Sequence, residues 1–390
     1  MSSHALLSPS GASRWLACPP SAKLESTFPS TTNAAADEGT LAHALCELYL
    51  RNHLKLIKAP QFTTEVKKIK NNQYFSAEMN GHATDYVDFV MELYHGLHSP
   101  MIFIEERIDL QEFVPEGFGT GDCIMIADNI LHIVDLKYGK GVQVDAHENK
   151  QMMLYALGAL QKYHLLYTID KVVMTIYQPR INNFSSFEMG AFALIEWGRE
   201  VVKPTAKQAF AGLGEYKAGP HCRFCKARNQ CRTLADFNMD LAKFAFEDPN
   251  KLTDADIAEI LNKAPEFKIW LTNIQSYALA EAVQHDKQWP GFKLVAGRSN
   301  RKYTDEQAII KAFKKAKIKD GFYLTAPVLV SIGALEKNLG KADVEKLIGK
   351  YIIKPEGAAT LVPEWDKRPQ LNSTEAAKLV FSNVDEVTDL

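Results

Sequence analysis

The sequence predicts an α/β fold: a mixed central sheet flanked by helices, followed by a second, mostly helical domain. Three observations predict it. The hydrophobic period is helical up to about residue 97, changes to short β-branched runs from 101 to 139, and becomes helical again at 148. The run "KVVMTIYQPR" then reads as a further strand, so the order helix, three antiparallel strands, helix, strand implies a sheet with one crossover. Beyond about residue 245 the pattern turns long and helical. At 390 residues the chain has room for two cores.

The elements follow in order. Ser10 to Cys18 reads as a short helix closed by Pro19 and Pro20. After a loop around Thr31–Ala36, "ADEGTLAHALCELYLRNHL" puts Leu41, Leu45 and Leu48 on one helical face. Another helix runs from Ala77 to Leu97. "MIFIEERIDL", "GDCIMIAD" and "NILHIVDLKYG" are strands, and Asp128-Asn129 is a hairpin turn between the last two. "ENKQMMLYALGALQKYH" is helical, and "FEMGAFALIEWGREVVKPTAKQAFAG" leads through a further helix to a cysteine-rich stretch. The domain boundary is placed between residues 245 and 246, giving domains 1–245 and 246–390. Past it, "LTDADIAEILNKAPEFKIWLTNIQSYALAEAVQ" is a long helical pattern interrupted near Pro265, with Lys- and Gly-rich helical pieces after it.

Composition narrows the class. The formal charge is −2, so any nucleic-acid surface must be a local basic patch. No apolar run approaches the roughly 20 residues that span a bilayer, so no membrane partner is expected. The first residues, "MSSHALLSPSGASRW", lack the basic start and apolar core of a secretory signal. A cytoplasmic location is expected, where thiols stay reduced and clustered cysteines point to metal or redox chemistry.

The strand region carries paired acids. "GTGD" puts Asp122 at the end of a Gly-rich turn entering a strand, and "DLK" puts Asp135 and Lys137 on one face of the next strand. Pairing through Asp128-Asn129 would bring Asp122 alongside them. Converging carboxylates are costly unless they share a cation, and Mg²⁺ or Mn²⁺ needs few of them because it keeps several waters. A water so activated can attack a phosphodiester. Lys137 would orient that water or stabilise the developing charge. By itself a DxK triplet equally fits charged residues facing solvent. "GTLAH" puts His43 on an upstream helix, as a third metal ligand or as a packed histidine. "QMMLY" sets Gln151 and Tyr155 on one helical face. The pair can bond a nucleic-acid backbone or hold Lys137; the alternative is core packing for Tyr155 and solvent for Gln151.

In this order, His43, "GTGD", "DLK" and "QMMLY" resemble the PD-(D/E)XK nuclease superfamily in its RecB-like branch, over roughly residues 10–235. The resemblance implies a restriction-endonuclease-like core. It also implies metal ligation by His43, Asp122 and Asp135, a catalytic role for Asp122, Asp135 and Lys137, and a supporting role for Gln151 and Tyr155. Asp135 stands where the family commonly has Glu. The whole chain also resembles a family of phage and prophage proteins, through "GFKLVAGRSNRKY" and "EGAATLVPEWDKRP".

The stretch "HCRFCKARNQC" crowds Cys222, Cys225 and Cys231 together. Resemblance to AddB-type RecB-like nucleases and their CRISPR-associated relatives adds Cys18 and implies a [4Fe–4S] cluster on these four residues. Four thiolates also suit structural zinc, though the solitary fourth ligand points to iron–sulfur. A bound cluster would staple the start of the nuclease domain to its end. Cys46 and Cys123 fall in apolar segments and pack as small hydrophobes. Arg223, Phe224, Lys226 and Arg228 could contact DNA phosphates and bases, or form a solvated rim. Arg14 and Trp15 extend that surface or pack inside. In the second domain Arg298, Arg301, Lys302, Lys314, Lys315 and Lys317 either touch DNA or form a solvated face.

The expected function is a Mg²⁺- or Mn²⁺-dependent deoxyribonuclease, an exonuclease or end-processing enzyme of phage recombination or replication. The alternative is a non-cleaving iron–sulfur or zinc protein that binds nucleic acid or assists assembly. DNA is the expected partner, with a phage helicase, polymerase or recombinase as a second.

Overall fold

A computed structural model describes residues 5–29, 34–240, 253–297, 301–325, 328–329, 331–353, 357–363 and 368–372. The chain divides into two units, Met1–Leu252 and Thr253–Leu390. The predicted boundary at 245 and 246 lies outside the described residues, as do Thr31 to Asn33, Arg298 and residues 364–367 of the "EWDKRP" run.

The first unit opens with short helices α1 (Ala12–Ala17) and α2 (Ser21–Ser26), then α3 (Ala34–His53), α4 (Ala59–Lys70) and α5 (Ala77–His95). Strands β1 (Met101–Asp109), β2 (Phe118–Ala127) and β3 (Ile130–Leu136) follow. Helix α6 (Lys150–Tyr163) crosses to β4 (Lys171–Gln178), and β5 (Asn183–Gly190) completes a five-stranded sheet in the order β1-β2-β3-β4-β5. The β3–β4 pair is parallel and the other three are antiparallel, so this is the mixed α/β sheet that the pattern predicted. Helices α7 (Ala191–Trp197), α8 (Lys203–Ala211) and α9 (Arg232–Met239) end the unit.

The turn chemistry explains the β2–β3 register. Asp128 and Asn129 both take positive φ, 52° and 60°. That is the turn whose twist matches a two-residue hairpin, and it pairs Ala127 with Ile130. The sheet separates two apolar layers. Ile108, Ile124, Ile133, Val172, Met174 and Ile176 pack with α1, α6 and α8 on one side. Ile104, Cys123, Met125, Val134 and Tyr177 pack with α3 and α5 on the other.

Two strand readings change. The "GTGD" glycines lie inside β2, paired with β1, rather than in a turn. A Cβ on Gly119 would stand 2.7 Å from Tyr155 Cε1 and 2.8 Å from Pro9 Cγ, so the missing side chain lets α6 and the N-terminal segment close over the strand. Strand β5 and helices α2 and α4 were not predicted, although Phe62, Val66 and Ile69 give α4 a helical apolar period. In β1, Ile104 and Ile108 share parity yet pack in opposite layers, so the alternation changes between them. Glu105 sits at the change with φ 50°, a left-handed conformation that is uncommon outside glycine.

The second unit contains α10 (Asp254–His285), β6 (Phe292–Gly297), β7 (Lys302–Tyr303), α11 (Glu306–Lys315), β8 (Leu324–Thr325), β9 (Val328–Leu329), α12 (Ile332–Leu339), α13 (Lys341–Ile348), β10 (Ile352–Ile353) and β11 (Gly357–Pro363). Helix α10 opens with a capping box, Thr253 with Asp256, and runs unbroken through Pro265. Pro265 removes one helical donor, but Leu261 and Pro265 are exposed, so the carbonyl it orphans faces water. "GFKLVAG" is not helical: it forms β6 against β11. A small core gathers Ile309, Phe313, Tyr323, Leu335, Val344 and Ile348.

Helix α6 lies close on β1. A Cβ on Gly158 would meet Ile108 Cγ2 at 2.2 Å and the Asp109 carbonyl at 2.9 Å. Gly158→Ala should therefore cost about 1–3 kcal/mol, read as a lower urea midpoint. Gly81→Ala, where nothing lies within 4 Å of the new methyl, should instead stabilise α5 by roughly 0.5–1 kcal/mol. Equal effects of the two changes would contradict this packing.

Candidate functional site

The candidate site forms where β1, β2 and β3 meet α3 and α6. Asp122 comes from β2, and its Oδ2 accepts the Leu136 backbone N–H at 2.7 Å. Its Oδ1 stands 3.3 Å from His43 Nδ1 on α3. Glu105 of β1 joins them: one ligand atom from each of His43, Glu105 and Asp122 lies within 4.8 Å of the other two. These residues line an open cleft with Cys46, Glu47, Leu50, Tyr86, Ile104 and Leu136.

Asp135, buried on β3, makes a different set of contacts. Lys137 Nζ lies 2.7 Å from Asp135 Oδ2 and donates to Gln151 Oε1 at 3.0 Å. Gln151 Nε2 reaches Asp135 Oδ1 at 3.5 Å and the Tyr155 hydroxyl at 3.1 Å. Asn149 caps α6 by accepting from the Gln151 and Met152 N–H groups, which fixes where Gln151 begins. The Lys137 N–H donates to the Tyr177 carbonyl at 2.8 Å, anchoring the end of the DLK run to β4.

The six predicted site residues thus fall into two contiguous groups. His43 and Asp122 gather with Glu105; Asp135, Lys137, Gln151 and Tyr155 form a chain beside them. Leu136 joins the groups, since its N–H binds Asp122 while its neighbours in sequence are Asp135 and Lys137. Asp135 is not part of that three-residue gathering, whose third member, Glu105, the sequence reading did not name. Glu105 was missed because a glutamate in an "IEERI" strand reads as solvent-facing. The doubled acid, which breaks the alternation, was the available signal.

Electrostatics bind the groups together. Burial would depress the His43 pKa, but Asp122 outweighs it and raises the imidazole to about 9. Burial works against the Asp122 charge as well, yet His43, Lys137 and the Leu136 N–H hold it below its usual range. Burial, with the Asp122 and Glu47 charges behind it, pushes Glu105 up to about 7. Burial raises Asp135 despite Lys137. Burial opposes the Lys137 charge, but Asp135 overcomes it and lifts the ammonium above its ordinary value. One histidine and two carboxylates of this kind offer two hard oxygen donors, which suit Mg²⁺ or Mn²⁺, and one imidazole, which suits Zn²⁺ as well.

The other four predicted ligands share a cavity, though among the described residues their sulfurs do not gather as closely as the His43–Glu105–Asp122 atoms do. Cys18, Cys222, Cys225 and Cys231 line one cavity with Arg14, Lys217, His221 and Arg228. The Lys217 N–H points to Cys18 Sγ at 3.5 Å. Burial pushes the Cys225 thiol up to about 11, so it stays protonated unless a metal drives the proton off. Thiols from both ends of the unit line this cavity, so a metal or cluster bound there would tie those ends together. Glu25, on α2, already joins them: one oxygen accepts from Arg14 Nε at 3.0 Å and the other from the Lys226 N–H at 2.9 Å.

The predicted DNA rim is only partly open. Phe224 is 59% exposed, with the Arg223 guanidinium 5.7 Å from its ring centroid. Arg228 donates to the Arg223 carbonyl at 2.7 Å. Arg14 is held by Glu25 and Trp15 is buried, its indole N–H donating to the Ser8 carbonyl, so neither extends that rim. In the second unit Arg301 forms an ion pair with Glu336, while Lys314, Lys315 and Lys317 are exposed. Cys46 and Cys123 are buried in the apolar layer beneath α3.

The family described as "Protein of unknown function (DUF2800)" matches residues 4–369, which spans both units. The chain belongs to the DUF2800 family. A solved structure described as "Crystal structure of SSO0001" matches 55% of this DUF2800 chain and 95% of its own, at 12% identity and a TM-score of 0.23. At that score the likeness supports no argument about this DUF2800 fold or its chemistry. Among the described residues no helix is long and apolar enough to cross a membrane.

The Glu25 contacts carry a direct expectation. Glu25→Ala removes two charge-assisted hydrogen bonds, one that holds Lys226 in the cysteine loop to α2 and one that ties α1 to α2, a loss of roughly 1.5–3 kcal/mol. In chelator-treated protein, trypsin should then cut after Lys226 and Arg228 faster than in the parent. Unchanged digestion would mean that the loop is held by other contacts.

Proposed function

We propose that this DUF2800 protein is a metal-dependent DNA nuclease, hydrolysing phosphodiester bonds at the His43–Glu105–Asp122 cleft with Lys137 beside it. One observation carries the reading: an imidazole and two carboxylates from three separate elements gather within 4.8 Å, next to an ammonium held by Asp135 and Gln151. Without a metal, protonated His43 balances the Asp122 charge; a bound cation would replace that proton and take the imidazole and both carboxylates as ligands. The ordered resemblance to the PD-(D/E)XK superfamily supports the same reading, as does the helix, three-strand, helix, parallel-strand arrangement around the site.

His43, Glu105 and Asp122 would hold Mg²⁺ or Mn²⁺, with Asp135 completing the acidic wall. A cation there lowers the pKa of a coordinated water and neutralises phosphate charge. The chain's own groups do the rest. Lys137 has three N–H donors, two of them directed at Asp135 and Gln151. The third is available to a phosphoryl oxygen as negative charge builds. Gln151, itself bonded to Tyr155, keeps the ammonium from swinging fully onto Asp135. The four-cysteine cavity would hold a [4Fe–4S] cluster, or zinc, as a staple remote from this chemistry. A cytoplasmic setting, which keeps the thiols reduced, suits either occupant.

Lys137→Ala should retain Mn²⁺ binding by calorimetry yet lower cleavage of end-labelled DNA by about 10²–10³-fold. His43→Ala, Asp122→Ala and Glu105→Gln should weaken Mn²⁺ binding itself, and cleavage with it. A chain that binds Mn²⁺ through these residues but cuts neither single- nor double-stranded DNA would sink the reading.

A further inference from the structure

We infer that the basic segment Arg51–Lys70, the end of α3 with the turn into α4, is the surface that carries a DNA strand's phosphate backbone to the cleft. The inference rests on the nuclease reading for where the strand leads, and deepens it by naming the track. The cleft follows one face of α3: His43, Cys46, Glu47 and Leu50 all line it. One turn further on, the same helix ends at His53, and the chain bends at Lys55, φ 59°, into α4. The basic stretch therefore begins where the cleft wall stops.

Charge is concentrated there. Between Arg51 and Lys70 the chain places Arg51, Lys55, Lys58, Lys67, Lys68 and Lys70 against the single acid Glu65, a local +5 in a chain of net charge −2. Arg51 is occupied structurally, donating to Glu47 and to the Ile104 carbonyl beside Glu105. The five lysines are exposed. Lys68 pairs with Glu65; no ion pair joins Lys55, Lys58, Lys67 or Lys70 among the described residues.

The helix is turned the right way for this use. Phe62 meets the Tyr49 ring at 6.0 Å, and Ile69 packs on the α3–α5 layer, so Thr64, Lys67 and Lys68 face solvent. At its N-terminus α4 has Lys58 as N-cap with no side-chain cap and no acid in the first turn. Two lysines at the positive end of a helix repel it, and phosphate relieves that repulsion. Twelve helical residues span about 18 Å. That is the length of roughly five phosphates on one strand of B-DNA; Lys55 and Lys58 lie at its start and Lys67, Lys68 and Lys70 at its end.

The test measures binding of a fluorescein-labelled oligonucleotide, single-stranded and as duplex, across a range of KCl in EDTA. The variant carries Lys55→Gln, Lys58→Gln, Lys67→Gln, Lys68→Gln and Lys70→Gln; glutamine keeps helix propensity, and an unchanged melting temperature verifies the fold. The slope of log K against log[KCl] should flatten by about 3–4 relative to the parent. The comparison variant Lys314→Gln, Lys315→Gln, Lys317→Gln should leave it unchanged. A wild-type slope in the five-lysine variant, an equal loss in the comparison variant, or no binding by the parent overturns the inference. Because EDTA removes the cation, cleavage plays no part in the measurement. A parent that binds with the expected slope yet never cuts DNA when Mn²⁺ is restored leaves the track standing and removes the nuclease reading.

Discussion

The bond from the Leu136 N–H to the Asp122 carboxylate is the constraint on which the rest depends. It lies at the end of the β2–β3 ladder, just past the pairing of Cys123 with Val134. A side chain takes over there from the backbone. That one acceptor closes the ladder, fixes the carboxylate opposite His43, and sets Asp135 and Lys137 on either side of the donor residue. The left-handed backbone at Glu105 then brings a second carboxylate to the same place from the neighbouring strand. Such strain is tolerated where surrounding packing holds it, and β1 is pinned on both sides of it, Ile104 with Cys123 and Glu106 with Gly121.

Much of this was legible in the sequence because the signals were local. Asp128-Asn129 specifies its own turn, and alternation through "CIMIA" and "LHIVDL" specifies two faces, so the pairing of Asp122 with the DLK run followed. His43 came through helical spacing and the order of motifs. Glu105 did not, because its role depends on a backbone conformation that breaks the alternation used to read it. The "GTGD" glycines were read as a turn because glycine punctuates turns. Here they are thinned strand positions that admit Tyr155 and Pro9. Pro265 misled in the opposite sense: an exposed helix tolerates a missing donor that a buried one could not.

The cysteine cavity and the carboxylate cleft use the same device at different scales. In each, groups distant in sequence are gathered first by ordinary hydrogen bonds, with the chemically active atoms added on top. At the cleft the organising groups are Leu136, Asn149 and Gln151. At the cavity they are Glu25 and Arg14, whose contacts involve no sulfur atom. Preorganisation of this kind lowers the ordering cost left for a metal to offset.

The Glu25 bridge reaches across 201 positions of the chain, from α2 to the loop beside Cys225. During synthesis, Cys18 emerges from the ribosome long before its three companions exist. Until Cys231 is clear of the exit tunnel, the first cysteine can be covered only by its own two helices and by α6 and α8, which pack against them. The sulfur site can therefore close only after every strand of the five-stranded sheet has been synthesised.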